Sequence, residues 1–127
     1  MEKGSQFLPS MSKGYTTEEA QQVAATILKQ MKAPQLFKFW SWGATKFVYG
    51  VVCNKAKENE KNIALRFWVN GMKHKGYVLV MHNSLDYYDV EFVSSMGNLK
   101  KRVEDVDCYQ LQEVIDEYVE KIPSYCR

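Results

Sequence analysis

The chain has 127 residues, enough for one domain whose core needs neither disulfide nor metal. Its 17 Lys and Arg stand against 15 Asp and Glu, so a polyanionic partner would need a local basic face rather than bulk charge. No run has the length of a membrane span or the pattern of a secretory leader, and Cys53, Cys108 and Cys126 are too scattered for a disulfide framework or a zinc site, which suits a reducing, cytoplasmic setting without membrane contact.

Residues 1–14 contain Gly4, Pro9, Ser10, Ser12 and Gly14 and are expected to form a flexible N-terminal segment, with Phe7-Leu8 its only apolar pair. Residues 15–127 are expected to form a single α+β domain. Thr16-Thr-Glu-Glu19 fits a capping box, and Ala20, Val23, Ala24, Ile27, Leu28 and Met31 recur at helical spacing until Ala33-Pro34 stops the helix. Leu36–Trp42 and Thr45–Cys53 are rich in aromatic and β-branched residues around Gly43-Ala44. That pattern predicts a hairpin with Trp40 across from Phe47 and Lys38 across from Tyr49. Asn54–Lys61 is charged in both signs and predicts a solvated connection.

Ile63–Asn83 carries two alternating runs joined at Asn70-Gly71, a strong hairpin signal. A two-residue turn pairs Val69 with Met72, Phe67 with His74, Leu65 with Gly76 and Ile63 with Val78 on a core face. The opposite face then pairs Trp68 with Lys73, Arg66 with Lys75 and Ala64 with Tyr77. A longer loop, from Asn70 to Gly76, changes these pairs and puts Lys73–Lys75 at a basic tip.

Tyr87–Val93 alternates, with Tyr88, Val90 and Phe92 on one side and Asp89 and Glu91 on the other. Leu99–Val103 suits a short charged edge strand. A last helix is expected from Asp107, capped with Gln110, burying Leu111, Val114, Ile115, Tyr118, Val119 and Ile122 before Pro123. The order predicts a two-layer α+β sandwich, an antiparallel meander of five or six strands with an N-terminal and a C-terminal helix packed on one face.

Chemistry is sparse. His74 and His82 lie ~26 Å apart on a straight strand and cannot share a metal. His82, Asn83, Ser84 and Asp86 collect a base, a hydroxyl and a carboxylate at one turn, where such residues are common. Cys108 stands near a helix N-terminus, where a thiolate is favoured. None of these is assigned a catalytic role, and neither a metal nor a cofactor is implied. Arg66, Trp68, Lys73, Lys75 and Tyr77 carry the stronger signal, since basic groups between aromatic platforms suit protein contacts and single-stranded nucleic acid alike. Lys100, Lys101 and Arg102 would extend that face if their strand lies nearby, and Asp89 and Glu91 on a neighbouring strand are expected to decide whether it is neutralised.

The expected function is a non-enzymatic interaction module that binds a protein partner or itself through this face. The alternatives are a single-stranded nucleic-acid accessory protein and a cryptic hydrolase or thiol enzyme.

Val69-Asn-Gly, His74-Lys-Gly-Tyr-Val, Tyr88-Asp-Val, Val103-Glu-Asp-Val and Leu111-Gln-Glu-Val-Ile-Asp together resemble short uncharacterised proteins of Bacteroides-type gut bacteria and their mobile elements. The resemblance covers roughly the last half of the chain. It implies a cytoplasmic accessory or mobile-element protein and assigns no site residue.

Overall fold

The computed structural model describes residues 2–8, 15–33 and 35–120. In chain order these form α1 (Thr17–Lys32), α2 (Leu36–Ser41), β1 (Thr45–Asn54), a 3-10 turn (Lys55–Lys57), β2 (Glu60–Asn70), β3 (Lys75–His82), β4 (Tyr88–Val93), β5 (Leu99–Val106) and α3 (Leu111–Val119). The strands make one antiparallel meander in the order β1-β2-β3-β4-β5. The expected α+β architecture is therefore present, with α1 and α3 packed on the sheet.

Burial follows from the alternation. Leu65, Phe67 and Val69 of β2, Val78 and Val80 of β3, and Val90 and Phe92 of β4 meet Ala24, Ile27 and Met31 of α1 and Leu111, Ile115 and Val119 of α3. Each fully buried side chain of this size contributes about 1.5–3 kcal/mol. Thr16 caps α1 as its sequence predicts, its hydroxyl accepting from Glu19 N at 3.1 Å. The aliphatic stripe of α3 is likewise in place, while Ile122 and Pro123 lie outside the described residues.

Leu36–Trp42 corrects the expected first strand. It holds a short helix, because its aromatics sort at a spacing of three rather than two. Phe39 and Trp42 turn together into the core, 5.5 Å apart between ring centroids. Phe37 and Trp40 stay outside, 78% and 67% exposed. Trp42 stacks on Phe67 and donates its indole N–H to Asp116 Oδ1 at 3.0 Å, so its polar edge is satisfied at full burial. Gly43, with φ +61°, follows the helix end instead of making a hairpin turn, its N–H donating to the Trp40 carbonyl. The expected Trp40–Phe47 and Lys38–Tyr49 cross-strand pairs are absent, and Lys38 Nζ meets Glu113 Oε2 at 2.8 Å.

The central hairpin also corrects its expected register. Val69 pairs with Gly76, Phe67 with Val78, and Arg66 with Leu79, a slip of four residues. Residues 71–74 form the loop because they have a better use than a tight turn. Lys73 N and His74 N donate to the Val119 carbonyl, Met72 N donates to Glu120 Oε2, and Lys73 Nζ reaches the Glu117 carbonyl at 2.6 Å. These donors cap the open carbonyls at the end of α3. Gly71 suits that contact, since a Cβ there would collide with the Val119 carbonyl. The slip is even, so the side chains that stay in the strands keep their expected faces, while Met72 and Lys73 pass into the loop.

At the other end of α3, Asp107 accepts from Tyr109 N and Gln110 N, both at 2.9 Å. It caps a preceding turn, and the helix begins at Leu111 rather than at Asp107.

The face away from the helices is concave. Asn54 of β1 and Asp89 of β4 lie three strands apart, ~14 Å on a flat sheet. Yet Asn54 Nδ2 donates to Asp89 Oδ2 at 2.7 Å, so the sheet curls toward this side. Residues 2–8, expected as a flexible lead-in, join its two edges. Leu8 N donates to Val51 O and Cys53 N to Gln6 O at β1. Leu99 N donates to Glu2 O and Gly4 N to Gly97 O beside β5. Under this strap, Phe7 packs on Val52, Ala64, Leu79 and Met81.

Candidate functional site

One cross-strand row organises the concave face: Val48 of β1, Arg66 of β2, Leu79 of β3, Glu91 of β4 and Arg102 of β5. Directly opposed residues share a face, so Arg66, Glu91 and Arg102 all point under the strap. Glu91 is fully buried. It accepts from Ser5 N at 2.6 Å and Ser5 Oγ at 2.8 Å, and from Arg102 Nε and Nη2 at 3.1 and 3.0 Å. Burial works against the charge of Arg102, but Glu91 and then Glu2 hold its pKa above the ordinary arginine value.

Asp89 is equally buried and equally engaged. Besides Asn54, it accepts from Asp105 N at 2.9 Å and pairs with Lys57 Nζ at 3.3 Å. Lys57 also meets Glu104 and Asp105, and these carboxylates raise its pKa against the opposing effect of burial. Neither Asp89 nor Glu91 therefore neutralises the central strands.

Arg66 is the exception on the row. Its guanidinium carbon lies 4.9 Å from the Tyr77 ring centroid and 5.3 Å from that of Phe7. Gly50 leaves room for the Phe7 ring, since a Cβ there would stand 3.1 Å from Phe7 Cδ1. Arg66 Nε is buried and has no hydrogen-bond partner, and among the described residues no carboxylate pairs with this arginine. Two rings lie beside the cation, while its Nε donor is unused. A cavity of about 420 Å³ opens beside it, walled by Phe7, Tyr77, Leu79, Val93 and Met96 together with the polar Ser5, Gln6 and Ser95.

Three of the five sequence-predicted residues come together here. Trp68 pairs with Tyr77, the rings edge-on at 5.0 Å and 81°. A bulge between Thr45 and Val48 brings Lys46 Nζ 5.3 Å from the Trp68 ring, a cation absent from the expected set. Lys75 is exposed and pairs with Asn70, ~13 Å along β2 from Arg66, so the expected Arg66–Lys75 opposition does not form. Lys73 leaves the face altogether for α3. Lys100 and Lys101 are exposed on β5, two strands beyond β3, and do not extend the patch.

The turn chemistry is arranged differently. His82 Nε2 lies 2.7 Å from Asp86 Oδ1, but the Ser84 hydroxyl donates to Glu60 Oε1 at 2.7 Å. That bond and one from Asn62 hold Glu60 below its usual carboxylate pKa, so the serine proton faces a settled anion rather than a base. Cys108 sits in the turn before α3, packed against the core. His74 is buried between Phe92 and Tyr118 and donates Nε2–H to the Tyr77 carbonyl at 3.2 Å; burial lowers its pKa. Among the described residues no group of histidine, cysteine and carboxylate side chains could hold a metal ion. No described helix is long and apolar enough to cross a membrane.

Sequence reasoning missed Ser5 and Phe7, and it offered Arg102 as an extension of the basic patch rather than as the partner of Glu91. Phe7-Leu8 was a weak signal for the strap, and alternation along Tyr87–Val93 and Leu99–Val103 held the Glu91–Arg102 pair once their hairpin register was known.

No family model, curated protein or solved structure matches this chain.

Proposed function

We propose that this chain is a non-enzymatic binding module that captures an anionic group of a protein partner at Arg66, with Trp68, Tyr77 and Phe7 as the surrounding contact surface. One observation carries the reading: a buried guanidinium Nε without a partner, at the wall of an open cavity, in a face where the other buried ions are paired. An unmet donor of this kind costs free energy in the unliganded fold, and an acceptor supplied by a partner recovers it. Aromatic residues and arginine are also the side chains that dominate protein contacts.

Protein is favoured over single-stranded nucleic acid because the cations do not form a track. Lys73 caps a helix and Lys75 stands apart, which leaves Arg66 and Lys46 on the face. Immobilised chain and its Arg66→Gln variant, exposed to the same cell extract, should differ in one retained protein. Equal retention would remove Arg66 from the contact. A single-stranded oligonucleotide should show no steep loss of binding with salt, whereas a slope of several phosphate contacts would favour the nucleic-acid reading.

A further inference from the structure

We infer that the Arg66 cavity takes a monocarboxylate with an apolar body. The inference rests on the reading of Arg66 as the anion-capturing group and adds the chemistry of what it captures.

The charge count comes first. Arg66 is the one guanidinium on the cavity wall. Lys3 is not part of the cavity wall, and its Nζ donates to the Met96 carbonyl at 3.0 Å. Glu91 is held by Ser5 and Arg102. A single negative charge balances the site. A second one would find no further cation on the wall, which is disfavoured.

The geometry of the cation points the same way. The Tyr77 and Phe7 rings lie 4.9 and 5.3 Å from its central carbon, and its N–H donors lie in the guanidinium plane. Nε and the adjacent Nη form a parallel pair of donors, the spacing a carboxylate accepts side-on with both oxygens. Nε is the atom that lacks a partner.

The floor of the cavity is apolar, while Gln6 and Ser95 bring polar side chains to its exposed edge. Leu79 and Val93 are 2% and 8% exposed beneath the cavity, and Met96, 76% exposed, stands at its mouth. About 420 Å³ holds on the order of a dozen non-hydrogen atoms at the ~30 Å³ a water occupies. A branched or linear aliphatic acid fits that space with its charge on Arg66 and its body on Leu79 and Val93. The same chemistry occurs in a free medium-chain acid and in a polypeptide C-terminus whose last side chain is apolar.

The test follows the Arg66 Nε–H resonance of the full ¹⁵N-labelled chain. The probes are octanoate, octanamide, acetyl-Gly-Ser-Leu as acid and as amide, and inorganic phosphate. Saturable movement with octanoate, with the peptide acid, or with both supports the inference, and which acid binds more tightly identifies the source. Each amide should bind at least tenfold more weakly than its acid, and Arg66→Gln, followed by the backbone amide resonances of residues 4–7, should lose at least tenfold for the acids. If that variant does not fold, the acid-against-amide comparison on the unaltered chain still decides. Saturation by phosphate and by neither acid overturns the monocarboxylate while leaving anion capture at Arg66. No movement with any anion overturns both.

Discussion

Two arginines on one cross-strand row have opposite circumstances. At the β4–β5 end, Arg102 meets a fully buried Glu91 that the strap also holds through Ser5. In the middle of the sheet, Arg66 faces Leu79 and lies between two rings. Arg102 completes the fold, because Glu91 could not stay buried and charged without it. Among the described residues Arg66 satisfies no carboxylate, and only its contacts with the Phe7 and Tyr77 rings tie the cation to the fold. The same side chain on the same face is structural where its partner is built in and available for a ligand where it is not.

The comparison breaks most visibly at Arg102. Arg102→Met leaves Glu91 buried beside Ser5 without a counter-charge and should cost about 3–5 kcal/mol in urea unfolding. A loss under about 1 kcal/mol would mean that Glu91 is not held as an ion pair. Ser5→Ala comes next. It removes the hydroxyl that donates to Glu91 Oε2 and accepts from Lys55 N at 3.0 Å. The expected cost is about 1–3 kcal/mol, with faster amide exchange across residues 2–8. Exchange unchanged in the strap would show that it is held elsewhere.

His74 sharpens the contrast between the faces, since it lies on the helix side. Burial depresses its pKa, so the unfolded chain binds a proton near the ordinary value of 6.5 and the folded chain does not. Stability should therefore fall as pH drops below about 6.5, and level off below the folded pKa of His74. His74→Phe should flatten that part of the pH–stability curve. A wild-type curve already flat from neutral pH down through this window would contradict the burial.

The helix side was legible in the sequence and the concave side only partly so. The stripes of α1 and α3 and the alternation of β2, β3 and β4 define one apolar face. They tolerate error, since a slip of four residues in the hairpin changed every pair and kept the face of each residue that remained in a strand. Parity likewise put Arg66, Trp68 and Tyr77 together, and Asp89 and Glu91 with them. It could not show what covers them. Gly4-Ser5 has no periodic signal, and Ser5 reaches Glu91 across 86 positions of sequence. Lys73 was misplaced for a related reason, because the loop's donors answer carbonyls of α3 that local propensity does not see. Leu36–Trp42 failed on composition: aromatic residues favour strands on average, yet the spacing of Phe39 and Trp42 is helical.

The central claim is that Arg66 serves a ligand rather than the fold, and urea unfolding of Arg66→Met beside the unaltered chain tests it most directly. Methionine keeps contact with Phe7 and Tyr77 and removes the unmet donor, so the two chains should agree within about 1 kcal/mol, the scale of a cation–π contact. A loss of about 3–5 kcal/mol, the size expected at Arg102, would make Arg66 a structural ion and contradict the account.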